Sequence, residues 1–308
     1  MVAPLASIAD VADVTRVHGA AASPDATPDL LLEIPHGATK ASHFDALRAA
    51  LVGAYPSDLR DFFFVNTDVG APELATRIAQ RYVAAVPQRT ALVVRSRIPR
   101  TFVDCNRTIA TNALASSSAS GQLTPGLMPW VRDGRDRLLL LERHAAYLDL
   151  VERAVEAVLP RGGRALMVHT YAPRSVDVAV DEHVVASLHD AYRPENVDRW
   201  PLRPEIDLIT RTPEGALLAD EALLARIRTA FATLGIVPQQ DHAYALQPGT
   251  MAAVFAARHP KRTLCFEVRR DLLMKAFTPF AEMEADPAAI DRIAGPFVAA
   301  LVGAAAPA

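Results

Sequence analysis

Apolar residues along this chain fall into short blocks separated by Pro, Gly and polar turns. "DLLLEIPHGA" (29–38) is a continuous apolar run closed by Pro and Gly, which predicts a buried strand. "HFDALRAALVGAY" (43–55) repeats its apolar positions at helical spacing. "FFFVNTD" (62–68) predicts a second strand and "APELATRIAQRYVAAV" (71–86) an amphipathic helix with Pro72 near its start. "TALVVRSRI" (90–98) predicts a third strand and "TFVDCNR" (101–107) a fourth extended piece. Residues 111–136 are rich in Ser, Gly and Pro, and a loop of that length in a compact fold is usually functional or mobile. The longest helical pattern follows at 136–160, its many charges read as a solvated outer face. A strand over 164–173 leads to an irregular segment, 183–215, broken by four prolines. A helix over 219–235 stops at Gly235. The last strand lies within 259–274 and a closing helix over 288–305. Residues 1–28 are weakly patterned and predict a leader that packs on the surface or frays.

Strands alternating with helices imply a mainly parallel sheet covered on both faces. The expected architecture is α/β, a three-layer sandwich with a mixed sheet, organised as one catalytic domain (29–308) behind the leader.

Composition narrows the function classes. The 308 residues are 51% hydrophobic and carry a formal charge of −3, with no basic arm, so neither nucleic acid nor an anionic membrane is an expected partner. Two cysteines, Cys105 and Cys265, give no disulfide framework and fit a reducing, cytoplasmic setting. No stretch has the length and apolarity of a transmembrane helix, and the N-terminus has no signal-peptide pattern. GxGxxG, Walker and G-x-S-x-G motifs are absent, which removes the sequence warrant for dinucleotide binding, phosphate cradling and a serine elbow.

Open α/β sheets place their sites at the carboxyl ends of strands. Here those ends carry His36, Asp68, Arg100, Asn106 and Arg107, His169 with Tyr171 behind it, and Glu267 with Arg269 behind it. Glu267 interrupts the apolar run "TLCFEVRRD" (263–271), which suits a carboxylate delivered to a reaction centre. Two His and an Asp can hold a divalent ion with one position open, the catalytic zinc pattern. Such an ion lowers the pKa of its water toward 7, and a free carboxylate can then take the proton and hand it to a leaving nitrogen. An arginine such as Arg100 or Arg107 can clamp a substrate carboxylate in bidentate fashion. Each residue also has a plainer reading: Asp68 as a turn or helix-cap residue, Arg107 with Asp104 and Arg269 with Glu267 as structural ion pairs. Glu73 and His43 are the substitute ligands if Asp68 is not one.

Four stretches in order, "EIPHGA" (33–38), "TDVGAPELA" (67–75), "RTFVDCNR" (100–107) and "CFEVRRDLLM" (265–274), resemble the N-formylglutamate amidohydrolase family. That family is similar in turn to the zinc carboxypeptidases and aspartoacylases, whose second-histidine and catalytic-glutamate stretches look like "VHTYAP" (168–173) and "FEVRRD" (266–271). The resemblance implies a zinc-carboxypeptidase-like fold, a Zn2+ cofactor and hydrolysis of a small carboxylated amide. It implies His36, His169 and Asp68 as zinc ligands and Glu267 as general base. Asn106, Arg107 and Arg100 would bind a substrate carboxylate, with Arg107 also serving catalysis and Tyr171 and Arg269 lining the substrate. Two departures stand out: Met167 replaces the Asp expected two residues before the second His, and Thr39 replaces the Glu expected three residues after the first. The second favours Asp68 as the carboxylate ligand. A zinc carboxypeptidase-like peptidase, or a catalytically inactive binding protein on the same fold, are the alternatives.

Overall fold

The computed structural model describes residues 5–109 and 125–303. Its strands and helices run, in chain order, β1 (Ala12–His18), β2 (Leu30–Ile34), α1 (Ala41–Ala50), α2 (Leu59–Asn66), α3 (Ala71–Ala85), β3 (Thr90–Ser96), α4 (Gly134–Val158) and β4 (Arg164–Tyr171). There follow α5 (Val184–Ala191), α6 (Pro194–Val197), β5 (Ile206–Ile209), α7 (Glu221–Ala232), β6 (Gln239–Gln240), α8 (Met251–Arg258), β7 (Thr263–Arg269) and α9 (Pro287–Val302). One seven-stranded sheet has the order β1-β3-β2-β4-β7-β5-β6. The four central strands β3, β2, β4 and β7 run parallel, while β1 and β5 join antiparallel. The fold is therefore α/β with a mixed, mainly parallel sheet and helices on both sides.

Alternation of side chains along the strands sorts the core into two clusters. On one face Leu32, Val93, Leu166, Val168, Phe266 and Val268 pack against α3, α7 and α9. On the other, Leu31, Leu92, Val94, Ala165, Met167 and Cys265 meet α1, α2, α4 and α8. Burial on both faces explains why β2 and β3 read as continuous apolar runs.

Several expectations change. Residues 62–68 are not a strand: α2 covers most of them, and Phe62, Phe63 and Phe64 are all buried because α2 has aromatic neighbours on several sides, including Phe44 and Trp130. A fully enclosed helix and a buried strand present the same unbroken apolar run. Residues 101–107 form successive turns, Phe102 N–H donating to Pro99 O and Arg107 N–H to Asp104 O, with one bridge from Val103 to Leu127. The expected leader contributes an element of the sheet, since Ala12–His18 is an edge strand along β3. The segment 183–215 contains α5, α6 and β5. Helix α8 lies where no element was expected. Of the Ser/Gly/Pro-rich 111–136 stretch, residues up to 124 lie outside the described residues.

Candidate metal centre

The loop after β2 brings His36 to the carboxyl edge of the sheet. Gly37 beside it has no room for a side chain: a Cβ there would stand 2.5 Å from Arg95 Cγ and 3.0 Å from Ser96 O. Arg95 Nε donates to Gly37 O at 2.7 Å, and Thr67 Oγ1 donates to Ala38 O at 2.7 Å, which ties this loop to β3 and to the end of α2. Asp68 follows α2, and its backbone N–H donates to His36 O at 3.4 Å. Gly70, with φ of +89°, then turns the chain into α3, a left-handed conformation that favours glycine. His169 sits near the end of β4, and in register beside it on β7 is Glu267.

His36, Asp68 and His169 are 3%, 3% and 3% exposed, and their candidate ligand atoms lie within 4.8 Å of one another. Asp68 Oδ2 is 3.1 Å from His36 Nδ1 and 3.0 Å from His169 Nδ1. Ligands of a tetrahedral zinc with bonds near 2.0–2.1 Å stand about 3.3 Å apart, so two imidazole nitrogens and one carboxylate oxygen at this spacing fit a divalent ion. Beyond the first contacts, His36 Nε2 lies 2.7 Å from Asp104 Oδ1, the carboxylate–imidazole arrangement that orients a metal-binding histidine. Asp104 was expected to pair with Arg107; it does face Arg107 at 3.8 Å, and it also receives Arg100 Nε at 3.0 Å. On the other side, Arg270 NH2 stands 3.7 Å from Asp68 Oδ1 and donates to Thr170 O at 3.2 Å.

Charge is strongly organised here. Burial would raise the pKa of Asp68, but the His36 charge and hydrogen bonds from both imidazoles hold it below the usual carboxylate range. Burial likewise opposes ionised Asp104, and Arg100, Arg107 and His36 overcome it. For His36, burial and Arg100 press the pKa down, while Asp104 and Asp68 outweigh them and raise it. Glu267 is pushed up to about 7, first by burial, with Asp68 adding and His169, Arg203 and Arg270 opposing. Its Oε2 is buried without a hydrogen-bond partner. A carboxyl balanced near neutrality can both take and return a proton.

The other expected site residues divide. Arg100 lies in the cluster, its charge felt by Asp104, Asp68 and Glu267. Arg107 sits behind it, NH1 donating to Asn106 O. Asn106 is committed to the fold by its side-chain oxygen, which accepts from Met251 N and Ala252 N at the start of α8. Tyr171 donates its hydroxyl to Pro204 O, so its ring rather than its OH borders the site. Arg269 turns away from Glu267: Nε donates to Asp271 Oδ1 at 2.8 Å and NH1 to Arg203 O at 3.0 Å. Of the substitute ligands, Glu73 faces a separate groove with Asp13, Arg77 and Arg95, and His43 Nδ1 accepts from Lys40 N at the start of α1. Thr39, where an acid was expected, meets Arg95 NH2 at 3.3 Å.

Sequence reading passed over Arg203 and Tyr244. Arg203 NH2 donates to Tyr244 OH at 3.0 Å, its guanidinium lies over the Tyr171 ring, and its charge reaches Glu267. Both residues sit in stretches without regular periodicity, so only their being a cation and a phenol beside prolines or turns could have drawn notice.

No protein-family model and no curated protein matches the chain. Solved structures do. A gene product of Agrobacterium tumefaciens shares 16% identity, with a TM-score of 0.56 over 98% of this chain and 100% of that one. An N-formylglutamate amidohydrolase from Ralstonia eutropha JMP134 shares 15% identity, with a TM-score of 0.56 over 94% of this chain and 97% of that one. The chain therefore shares its fold with an amidohydrolase along nearly its whole length.

Proposed function

We propose that this protein is a zinc-dependent amidohydrolase that cleaves the C–N amide bond of a small carboxylated substrate, an N-formyl- or N-acyl-amino acid. The observation that carries this reading is the convergence of His36 Nδ1, His169 Nδ1 and Asp68 Oδ2 beside a buried, unpaired Glu267 carboxylate oxygen. The shared fold with an N-formylglutamate amidohydrolase supports it. A donor set of two imidazoles and one carboxylate suits zinc, and Met167 and Thr39 do not empty it, because Asp68 supplies the carboxylate. When bound, the ion would contribute Lewis-acid chemistry, acidifying a water and polarising an amide carbonyl.

The chain's own groups supply the rest. Glu267 Oε2 takes the proton of the attacking water and returns it to the leaving nitrogen as the C–N bond breaks. The apolar strand around it keeps water out and fixes its direction. Arg100, oriented by Asp104, pairs with the substrate carboxylate, and Arg203 with Tyr244 borders the site from the β5 side. Asp104 behind His36 keeps the Nε2 nitrogen protonated and leaves Nδ1 as the donor.

The test is zinc content of purified protein, followed by hydrolysis of a panel of N-formyl and N-acetyl amino acids. About one zinc per chain is expected, and Glu267→Gln should keep the metal and lose hydrolysis. Normal turnover by that variant would overturn the mechanism.

A further inference from the structure

The two imidazoles are backed differently. Both point Nδ1 at Asp68 Oδ2, but their far nitrogens meet different surroundings. His36 Nε2 rests on Asp104, whereas His169 Nε2 is buried with no hydrogen-bond partner. A metal-binding histidine normally has a carboxylate or carbonyl behind it, which fixes the tautomer and raises the basicity of the ligating nitrogen. On β4 itself, the inward residue beneath His169 is Met167, which can do neither. Glu267, alongside His169, would not be available to exchange protons with a substrate if it served as that backing group.

The neighbouring strand carries another acid. Glu33 of β2 pairs in register with Met167, so its side chain lies on the same sheet face, diagonally across from His169. It is 2% exposed, and the Tyr147 hydroxyl from α4 donates a hydrogen bond to its Oε1. Among the charges acting on Glu33, His169 comes first and His36 second. A carboxyl this deep is costly unless something uses its charge. We propose that Glu33 is a positioning residue of the metal centre: from the adjacent strand it provides behind His169 the negative charge that Asp104 provides behind His36. Its electric field favours the tautomer protonated at Nε2, which leaves Nδ1 free to ligate. Tyr147 holds the carboxyl in place. Glu33 touches neither substrate nor metal.

This inference rests on the centre binding a metal. The experiment measures zinc affinity of metal-free protein by competition with a chromophoric chelator, together with the visible spectrum of the Co2+-loaded protein. Against wild type, Glu33→Gln should weaken zinc binding about 10–100-fold and alter the Co2+ bands. Adding Met167→Asp to that variant puts a carboxylate back beside the same imidazole and should recover at least half of the loss on a logarithmic scale. Tyr147→Phe, which keeps the acid but frees it, should weaken binding only a few-fold, and it carries the test if Glu33→Gln does not fold. Wild-type affinity and spectrum in Glu33→Gln would overturn the inference while leaving the metal site standing. So would a loss that Met167→Asp does not recover. A wild-type chain that takes up no zinc would overturn the proposed function, and this inference with it.

Discussion

The two faces of the sheet are built from the same strands and do different work. Facing α3, α7 and α9, every inward strand position of β2, β4 and β7 from Leu30 to Ile34, Leu166 to Val168 and Leu264 to Val268 is apolar. Facing α4 and α8, the same strands alternate apolar residues with Glu33, His169 and Glu267, and β5 adds Asp207 in register with Glu267. One face holds the fold together. The other gives up part of its apolar contact to hold acids and imidazoles that would be costly without a use. Phe266 and Glu267 are adjacent in sequence and sit on opposite faces, one stacked on Phe297 with ring centroids 4.3 Å apart, the other beside the metal ligands. Neighbouring residues in one strand can therefore be assigned to stability and to chemistry by the parity of their number alone.

The contrast can be broken or sharpened by substitution. The largest effect is expected from Glu267→Gln: hydrolysis should fall by about 10²–10⁴, the contribution of a positioned acid–base group, while thermal unfolding and zinc content stay near wild type. Its neighbour gives the opposite pattern. Phe266→Ala removes a fully buried ring and should cost about 3–5 kcal/mol in denaturant unfolding, with zinc affinity of the folded fraction changed little. If Phe266→Ala abolished metal binding while the protein stayed folded, the division between faces would fail.

A smaller effect, with the sign reversed, is expected from Glu33→Gln in metal-free protein. Burial raises the Glu33 pKa to about 7 from an ordinary value of 4.5. A carboxyl raised in the fold favours the folded state fully below pH 4.5 and loses that contribution as pH rises through 7. The variant, which cannot ionise, should match wild type in acid and exceed it above pH 7, by on the order of 1–3 kcal/mol at pH 8. Equal stability of the two across pH 5–9 would show that the acid is not held at a cost. Gained stability together with weakened zinc binding would mark Glu33 as a residue kept for function.

How much of this was legible beforehand depends on what each residue's signal shares with its neighbours. Helices α3, α4, α7 and α9 announce themselves because one side is wet and the 3.6-residue period survives. Helix α2 does not, since enclosure of Phe62, Phe63 and Phe64 erases that period. Edge strand β1 escaped because its burial pattern leaves only Val11 and Ala12 fully covered near its start. His36, Asp68, His169 and Glu267 could be picked out at strand and helix ends, where polar residues interrupt apolar runs. Their meeting around one point depends on the strand order, which puts β2 and β7 on either side of β4 although the chain separates them widely. Glu33 was hidden for the same reason: "LLLEI" shows an acid in a strand, but only the register beside Met167 gives it a neighbour to serve. Arg203 and Tyr244 lie in aperiodic segments, and the contact between them is made by the fold.

The central claim is that His36, Asp68 and His169 hold one divalent ion, and titration of metal-free protein with zinc tests it most directly. Wild type should bind one equivalent, and Asp68→Asn, which neutralises the carboxylate both imidazoles face, should lose most of that affinity without unfolding. A wild-type protein that binds no zinc, or an Asp68→Asn protein that binds it equally well, would contradict the account.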